Sequence, residues 1–352
     1  MQLALEGAGR VSPNPAVGCV VVRDGEVIGE GWHDAWGGPH AERVAIEDAE
    51  ARGHDVRGST VYVSLEPCGH HGRQPPCADL LVEKGVATVV AGCDDNSEKT
   101  AGRGPAILRE AGIDVRFADG EQATRARGLI QDFRKYSTTG QPLVTLKMAS
   151  SLDGRVAGPG GRPVHLSSDE TDLLVHRWRA TVDAVAVGAG TLRTDDPQLT
   201  ARGAGEVVQP RRVVFARAEE LDPGAALFRD IAEAPVVLVT GPDDETGAIT
   251  RLRELGVEVV EADGADRPSR FAASLYALGD LGIRSILLEG GPTLAGAALA
   301  AGSVDRLELF FAPVILGRGP SMIELDEALD LPETRISHSG VDLRISSVLR
   351  EW

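Results

Sequence analysis

The chain has 352 residues, 42% hydrophobic and 4% aromatic, and sets 36 Lys+Arg against 53 Asp+Glu for a formal charge of −17. At roughly 100–200 residues per domain, this length predicts two domains. So acidic a balance excludes a nucleic-acid-binding surface, which works by cationic neutralisation of phosphates, and leaves a small anionic substrate only if cations are fixed close to it. No stretch approaches the ~20 apolar residues of a membrane span, and the opening "MQLALEGAGR" lacks the regions of a signal peptide. Four cysteines in a chain this long make no disulfide framework, so reduced thiols and a cytoplasmic setting are expected.

In chain order, "AVGCVVVRDGEVIGEG" reads as two strands joined by an Asp24-Gly25 hairpin turn. A helix follows from "PHAERVAIEDAEARG", with Ala41, Val44, Ala45 and Ala49 on one apolar face. "STVYVSL" is a short buried strand, and "CADLLVEKG" a helix ended by Gly85. A strand at "VATVVAG", a helix at "PAILREAG", a strand at "IDVRFA" and one long amphipathic helix at "EQATRARGLIQDFRKYS" complete an αβα first half. The polar "TTGQP" (138–142) is the expected linker, dividing domains 1–140 and 141–352. The second half restarts with the strand "LVTLKMASS", then a helix whose Ser167 and Glu170 have capping-box spacing. Strands at "DAVAVG", "RRVVFA", "PVVLVT", "VEVVEA", "SILLEG" and "RLELFFAPVIL" alternate with helices, and "DLRISSVLREW" is expected to close the sheet as an antiparallel edge.

The chemistry concentrates at His40, Glu42, Cys68 and Cys77. One imidazole and two thiolates are good zinc ligands, and three protein ligands leave a fourth position for water, as in a catalytic site. Cys77 opens a helix, where the dipole favours a thiolate. The plain alternative for His40 and Glu42 is a solvated first helical turn. His33, His54, His70 and His71 are further ligand candidates, whereas Cys19 and Cys93 lie in or just after apolar strands and read as small core residues. H-A-E followed by P-C is the zinc deaminase signature, in which the glutamate moves protons and is not a ligand. The cysteine spacing here is C-x8-C and not C-x-x-C.

The motifs "SPNPAVG" (12–18), "HAE" and "PCGHHGRQPPC" resemble the bifunctional riboflavin-biosynthesis deaminase–reductase family, whose pattern includes S-P-N-P-x-V-G, H-A-E and P-C-x-H-x-G-R-x-P-P-C. The resemblance continues through "LKMASSLDGR", "GAGTLRTDDPQLTAR" and "LLEGGPTLAGA". It implies a cytidine-deaminase-like α/β domain followed by a dihydrofolate-reductase-like α/β domain using NADPH. Zinc-dependent loss of the 2-amino group from 2,5-diamino-6-(5-phosphoribosylamino)pyrimidin-4(3H)-one, with Glu42 as proton carrier, would precede reduction of the ribosyl chain to ribityl. Carried over by motif position, Ser150, Thr191, Asp195 and the segment Gly291, Pro292, Thr293, Leu294, Ala295, Gly296, Ala297 would contact cofactor. Arg179, Leu199, Arg202, Glu289, Lys147 and, in the deaminase, Asn14 would contact substrate, with Arg179 and Arg202 expected to hold its anionic or polar parts, the phosphate among them. The family usually carries a tryptophan where "RPVHLSS" has His165. Glycine spacing alone says less: "GAGTLR" puts Arg193 where a dinucleotide fingerprint wants a small residue, and "EGGPTLAGAAL" suits either a phosphate cradle or a tight turn. Asp153 reads as a turn residue. A small phosphorylated pyrimidine is the expected partner, in a homo-oligomer without nucleic acid or membrane. A related enzyme of another pyrimidine or deazapurine pathway, and a zinc-stabilised binding protein without catalysis, are the rival readings.

Overall fold

After a short helix α1 (Gln2–Glu6), strands β1 (Gly18–Arg23) and β2 (Glu26–Trp32) form the expected hairpin. Asp24 and Gly25 both have positive φ, 53° and 84°, which a two-residue turn matched to strand twist requires. The computed structural model describes residues 1–98, 100–203, 205, 207–242 and 247–352. Its described residues fall into two compact units, Met1–Thr139 with Trp352, and Gly140–Glu351.

The first unit continues with α2 (Ala41–Ala51), β3 (Thr60–Val63), α3 (Cys77–Lys84), β4 (Thr88–Ala91), α4 (Arg103–Glu110), β5 (Asp114–Phe117), α5 (Gly120–Leu129) and α6 (Gln131–Thr139). Its sheet runs β2-β1-β3-β4-β5, antiparallel at β2-β1-β3 and parallel beyond. Ile46, Leu81 and Leu108 of α2, α3 and α4 join Val21, Val61 and Val89 of the sheet in one core. The single long helix expected over 121–137 is instead two, broken at Ile130 (φ −124°, ψ 26°). Ile130 is buried with Leu65, Cys93 and Ala126, so packing of this side chain overrides continuous helix.

The second unit holds β6 (Leu143–Ser151), α7 (Asp169–Arg179), β7 (Ala184–Gly188), α8 (Ala189–Asp195), β8 (Arg211–Phe215), β9 (Val236–Thr240), α9 (Gly247–Glu254), β10 (Glu258–Glu261), α10 (Arg267–Asp280), β11 (Ser285–Leu288), α11 (Pro292–Ala300), β12 (Arg306–Ala312), β13 (Arg335–Ser339) and β14 (Asp342–Val348). Its sheet order is β10-β9-β8-β7-β11-β6-β12-β14-β13, parallel from β10 to β12. Both faces are covered. Ala184 and Ala186 of β7 pack with Leu275 of α10 and Leu299 of α11, while Val185 and Val187 pack with Leu192 of α8 and Leu252 of α9. That is why "DAVAVG" reads as an unbroken apolar run.

Three expectations are corrected here. β14 is antiparallel to β12 but is not the edge, because β13 pairs outside it. β12 ends at Ala312, with Ile315 exposed beyond it. The cap of α7 is Ser168 and not Ser167: Ser168 Oγ accepts from Thr171 N, and the buried Asp342 carboxylate takes bonds from Ser168 N (2.8 Å), Ser168 Oγ (2.9 Å) and Thr171 Oγ1 (2.7 Å). The carboxylate selects the residue.

In the first unit, α2 lies almost on the backbone of β2. A Cβ on Gly31 would sit 2.4 Å from Ala45 N and 2.7 Å from Ala41 O, and one on Gly29 2.3 Å from Ala45 O. Backbone atoms cannot swing aside, so the helix would have to lift. Gly31→Ala is expected to destabilise this unit by about 1–3 kcal/mol, the usual cost of overpacking. Urea unfolding followed by a probe in the first unit checks this, and an unchanged midpoint contradicts the packing argument.

Candidate active sites

His40 is the N-cap of α2 and Cys77 the first residue of α3, so two helix N-termini meet. Cys68 reaches the same point from the β3–α3 loop. His40 Nδ1 lies 3.5 Å from Cys68 Sγ and 3.4 Å from Cys77 Sγ. Zinc bonds of about 2.0–2.1 Å to nitrogen and 2.3 Å to sulfur, at a tetrahedral angle, put N and S about 3.6 Å apart. The triangle therefore has the size a zinc ion needs. Among the described residues it is the one group of three or more His, Cys, Asp or Glu with ligand atoms within 4.8 Å of one another. The backbone N–H of Cys77 also donates to Cys68 Sγ (3.3 Å), placing negative charge on that sulfur.

The electrostatics fit a metal site read without its metal. The Cys68 thiol is pulled down to about 4 by its hydrogen bond with Cys77, helped by His40, while Cys77 is pushed up by the same bond and by burial. His40 is raised by its hydrogen bond to Cys68. Glu42, buried in the first turn of α2, is pushed up to about 7 by burial and by the charge on Cys68. A divalent cation at the triangle opposes both effects.

Several neighbours fix this geometry. His33, a ligand candidate in the sequence, spends both ring nitrogens elsewhere: Nδ1 on Pro39 O (2.9 Å) and Nε2 on Asn14 Nδ2 (3.0 Å). Both bonds are satisfied when Nδ1 carries the proton and Nε2 accepts from Asn14, which leaves Asn14 Oδ1 for other partners. Arg73 stacks over Trp36, 4.0 Å from the ring centroid, and Gln74 Nε2 donates to Gly37 O (3.0 Å), tying the cysteine loop to the 33–39 loop. Glu66 Oε1 accepts from Gly102 N (2.7 Å) at the start of α4. His54, His70 and His71 are not in the ligand group, and Cys19 and Cys93 are buried in cores.

In the second unit the expected residues gather where β6, β7 and β11 end, outside the carboxyl ends of parallel strands, where α/β sheets bind ligands. Arg179, last in α7, makes a bidentate pair with Glu289, Nε to Oε1 at 2.6 Å and Nη2 to Oε2 at 2.7 Å, and its Nη1 donates to Thr200 O (3.2 Å). Burial opposes both charges, but the pairing outweighs it, holding Glu289 below the ordinary carboxylate range and Arg179 above the ordinary guanidinium value. Lys147 on β6 is lowered by burial, partly offset by Glu289. Arg202 is exposed, and its Nη1 meets only the neutral Gln198 Oε1 (3.2 Å) and Thr200 Oγ1 (3.1 Å). Of the two arginines, Arg179 is neutralised by Glu289, and Arg202 is the one without a carboxylate partner among the described residues.

The cofactor segment is also narrowed. Gly290 and Gly291 have φ of 26° and 87°, and a Cβ on Gly291 would lie 3.0 Å from Thr191 Oγ1, which itself bonds Gly290 O (3.3 Å). This bare turn opens α11 with the free first-turn N–H groups an anion uses, so the residues present fit a phosphate-bearing cofactor. Ala295, Gly296 and Ala297 are instead buried in packing, with Glu324 O where a Gly296 side chain would go. Ser150 is fully buried, its Oγ on Ser151 O (3.0 Å), and Leu199 puts its side chain in a core. Asp195 stays exposed. Asp153 is more than a turn residue: Ser151 Oγ and the amides of Leu316 and Gly317 hold its carboxyl down to about 2.

Residues 1–93 match the cytidine and deoxycytidylate deaminase zinc-binding region, and residues 142–345 match the RibD C-terminal domain. The riboflavin biosynthesis protein RibD of Aquifex aeolicus is 36% identical over 98% of this chain and 95% of its own. The chain belongs to the RibD family. RibD of Escherichia coli K12 is likewise 36% identical, over 97% of this chain and 95% of its own. A solved structure from Thermotoga maritima, described as a diaminohydroxyphosphoribosylaminopyrimidine deaminase/5-amino-6-(5-phosphoribosylamino)uracil reductase, superposes with a TM-score of 0.86 at 35% identity, covering 99% of this chain and 95% of that one. Where RibD proteins usually have tryptophan, His165 is exposed, with Nε2 3.1 Å from Asp172.

Sequence reading missed Glu66, which precedes the Pro67-Cys68 motif, and the glycines that let the cysteine loop close. A Cβ on Gly104 would lie 1.7 Å from Pro67 O, and one on Gly69 2.6 Å from Gly104 N. Gly104→Ala substitutes none of the ligand residues yet must push Pro67 and Cys68 away. Zinc content of the purified variant is expected to fall well below one per chain. Full zinc occupancy contradicts this.

Proposed function

We propose that His40, Cys68 and Cys77 hold the zinc of the deaminase and that Glu42 carries its protons. The chain is a bifunctional riboflavin-biosynthesis enzyme, a zinc-dependent deaminase joined to an NADPH-dependent reductase. Its substrates in this reading are those of the T. maritima protein: the diaminopyrimidine phosphate, then the aminouracil it becomes. One observation carries the assignment: three soft ligands at zinc spacing with a buried carboxylate beside them.

Zinc held by His40, Cys68 and Cys77 would supply a Lewis acid to activate water against the ring carbon bearing the 2-amino group. Glu42 accepts the proton the water loses and delivers it to the departing nitrogen, so that water and amine become oxo group and ammonia. Burial keeps Glu42 from bulk water, so the proton is passed on and not lost to solvent. Asn14, fixed by His33, offers Oδ1 to the pyrimidine.

NADPH supplies a hydride to the ribosyl carbon in the second unit. Thr191, Gly291 and the first turn of α11 hold the cofactor in this reading, with Asp195 nearby. Glu289, oriented by Arg179, and Lys147 form the polar wall for substrate, and Arg202 takes its phosphate. The exposed guanidinium, without a carboxylate partner among the described residues, supports that role, because its fork matches phosphate oxygens. Four unpaired cysteines support a cytoplasmic setting. The homo-oligomer is proposed from the exposed Ile336 (70%) and Val341 (68%) beside the open edge strand β13.

Glu42→Gln is nearly isosteric and cannot accept a proton. It is expected to keep zinc and lose ammonia release by about 10²–10⁴-fold. NADPH oxidation on already-deaminated substrate should persist. Wild-type ammonia release by this variant removes Glu42 from the mechanism. Arg202→Ala is expected to raise KM for the reductase substrate by roughly 10–150-fold, the loss of a charged hydrogen bond, without changing ammonia release. An unchanged KM assigns the phosphate to other groups.

A further inference from the structure

Between α8 and β8, the segment 199–202 leaves regular structure. Leu199 has φ 57°, and the polar backbone groups that follow are held by side chains. Thr200 O accepts from Arg179 Nη1 (3.2 Å). Ala201 N donates to Gln209 Oε1 (2.9 Å), and Ala201 O accepts from Gln209 Nε2 (3.0 Å). Arg202 N donates to His176 Nδ1 (3.2 Å), its one acceptor among the described residues. His176 and Arg179 stand three apart in the last turn of α7, so one helix end grips the segment twice.

We infer that His176 is a positioning residue of the reductase site, holding the Arg202 backbone through an unprotonated Nδ1 and releasing it on protonation. The inference rests on the reading that Arg202 binds substrate. His176 Nδ1 lies 3.2 Å from both Thr200 O and Arg202 N, and one nitrogen cannot donate to the first while accepting from the second. A proton on Nδ1 would face the Arg202 N–H and orphan that amide. With Nδ1 bare, the amide is bonded and Thr200 O still has Arg179. Only the neutral, Nε2-protonated ring satisfies every group.

The charges around the ring favour the same state. Arg179 on its own helix and Arg202 on the segment oppose an imidazolium; the Thr200 carbonyl and Glu289 beyond β11 favour one, but both are already engaged by Arg179. The negative end of α7 also favours a cation. Burial and the two arginines prevail, lowering His176 from its ordinary value. The grip is therefore complete at neutral pH and is lost as pH falls through the lowered imidazole range.

The test uses the purified full chain, steady-state reduction of deaminated substrate and three variants. His176→Ala is expected to raise substrate KM at about pH 7.5 by roughly 3- to 10-fold, the loss of one hydrogen bond. Its kcat, its KM for NADPH and its ammonia release should hold. His176→Asn keeps an acceptor, Oδ1, where Nδ1 stood and does not titrate. It should bind substrate as wild type does at about pH 7.5 and lose part of the KM rise that wild type shows towards about pH 5.5. Titration of the substrate phosphate is common to both proteins and cancels in the comparison. Wild-type KM in His176→Ala, or an unaltered acid rise in His176→Asn, overturns the inference. Arg202→Ala separates the two levels. If its KM is unchanged, the underlying reading fails and the inference with it. If its KM rises while His176→Ala binds normally, only the role of His176 is wrong. Should His176→Ala fold poorly by thermal midpoint, the pH profile of His176→Asn decides alone.

Discussion

The proposed zinc ligands meet because two helix N-termini and one loop converge on one point. His40 precedes α2, Cys77 opens α3, and Cys68 comes from a loop whose Pro67 carbonyl lies against Gly104 of α4. Helix N-termini carry unpaired N–H groups and positive potential, which suit thiolates and poorly suit a bare dication. Two thiolates on zinc resolve that conflict, since their charge cancels the ion's. The long cysteine spacing then has a plain use: the residues between Cys68 and Cys77 fold back through Arg73 and Gln74 onto the 33–39 loop, walling the site with the protein's own chain. Glycines at 29, 31, 69 and 104 carry the rest of the burden, for each sits where a Cβ would meet a backbone atom.

The second unit solves a different problem with the same economy. Its parallel strands end together, and there the chain places opposite charges in contact. Arg179 and Glu289 come from elements 110 residues apart and are each about nine-tenths buried at the side chain, with exposures of 13% and 9%. Unpaired, either would be costly to bury, so removing one should harm the site more than the pair's net worth suggests. The pair also sets the two arginines apart. Arg179 spends its fork on Glu289 and Thr200 O, whereas among the described residues Arg202 bonds only neutral oxygens.

Much of this was legible in the sequence, and the reason differs by level. The elements appeared because their apolar periodicity is strong, as in "DAVAVG", whose alternate residues face two separate cores. The zinc residues appeared because ligand chemistry restricts residue type. What did not appear was set by tertiary contact. Ile130 breaks a helix to reach a core shared with Leu65 and Cys93. Asp342, near the end of the chain, decides that Ser168 caps α7. The strand β13, "RISHS", has little apolar pattern because four of its five residues are exposed. His176 left one signal, its spacing of three from Arg179 on a helix, but nothing local says that its ring faces the Arg202 amide.

Charge joins these observations to function. With a formal charge of −17, the chain repels a phosphorylated pyrimidine at long range. Long-range repulsion is screened within about 8–10 Å at ordinary ionic strength, so binding is decided by what stands inside that distance. There, in the proposed site, a fixed donor counts for more than net charge: a guanidinium on a backbone that three side chains hold still. Rigidity matters because an arginine on a free loop would have to be ordered when substrate arrives, at the expense of affinity. Arg179, Gln209 and His176 make that ordering part of folding. The acidic surface then acts against non-specific anions while the built site retains the right one, which is selection by subtraction and not by attraction alone.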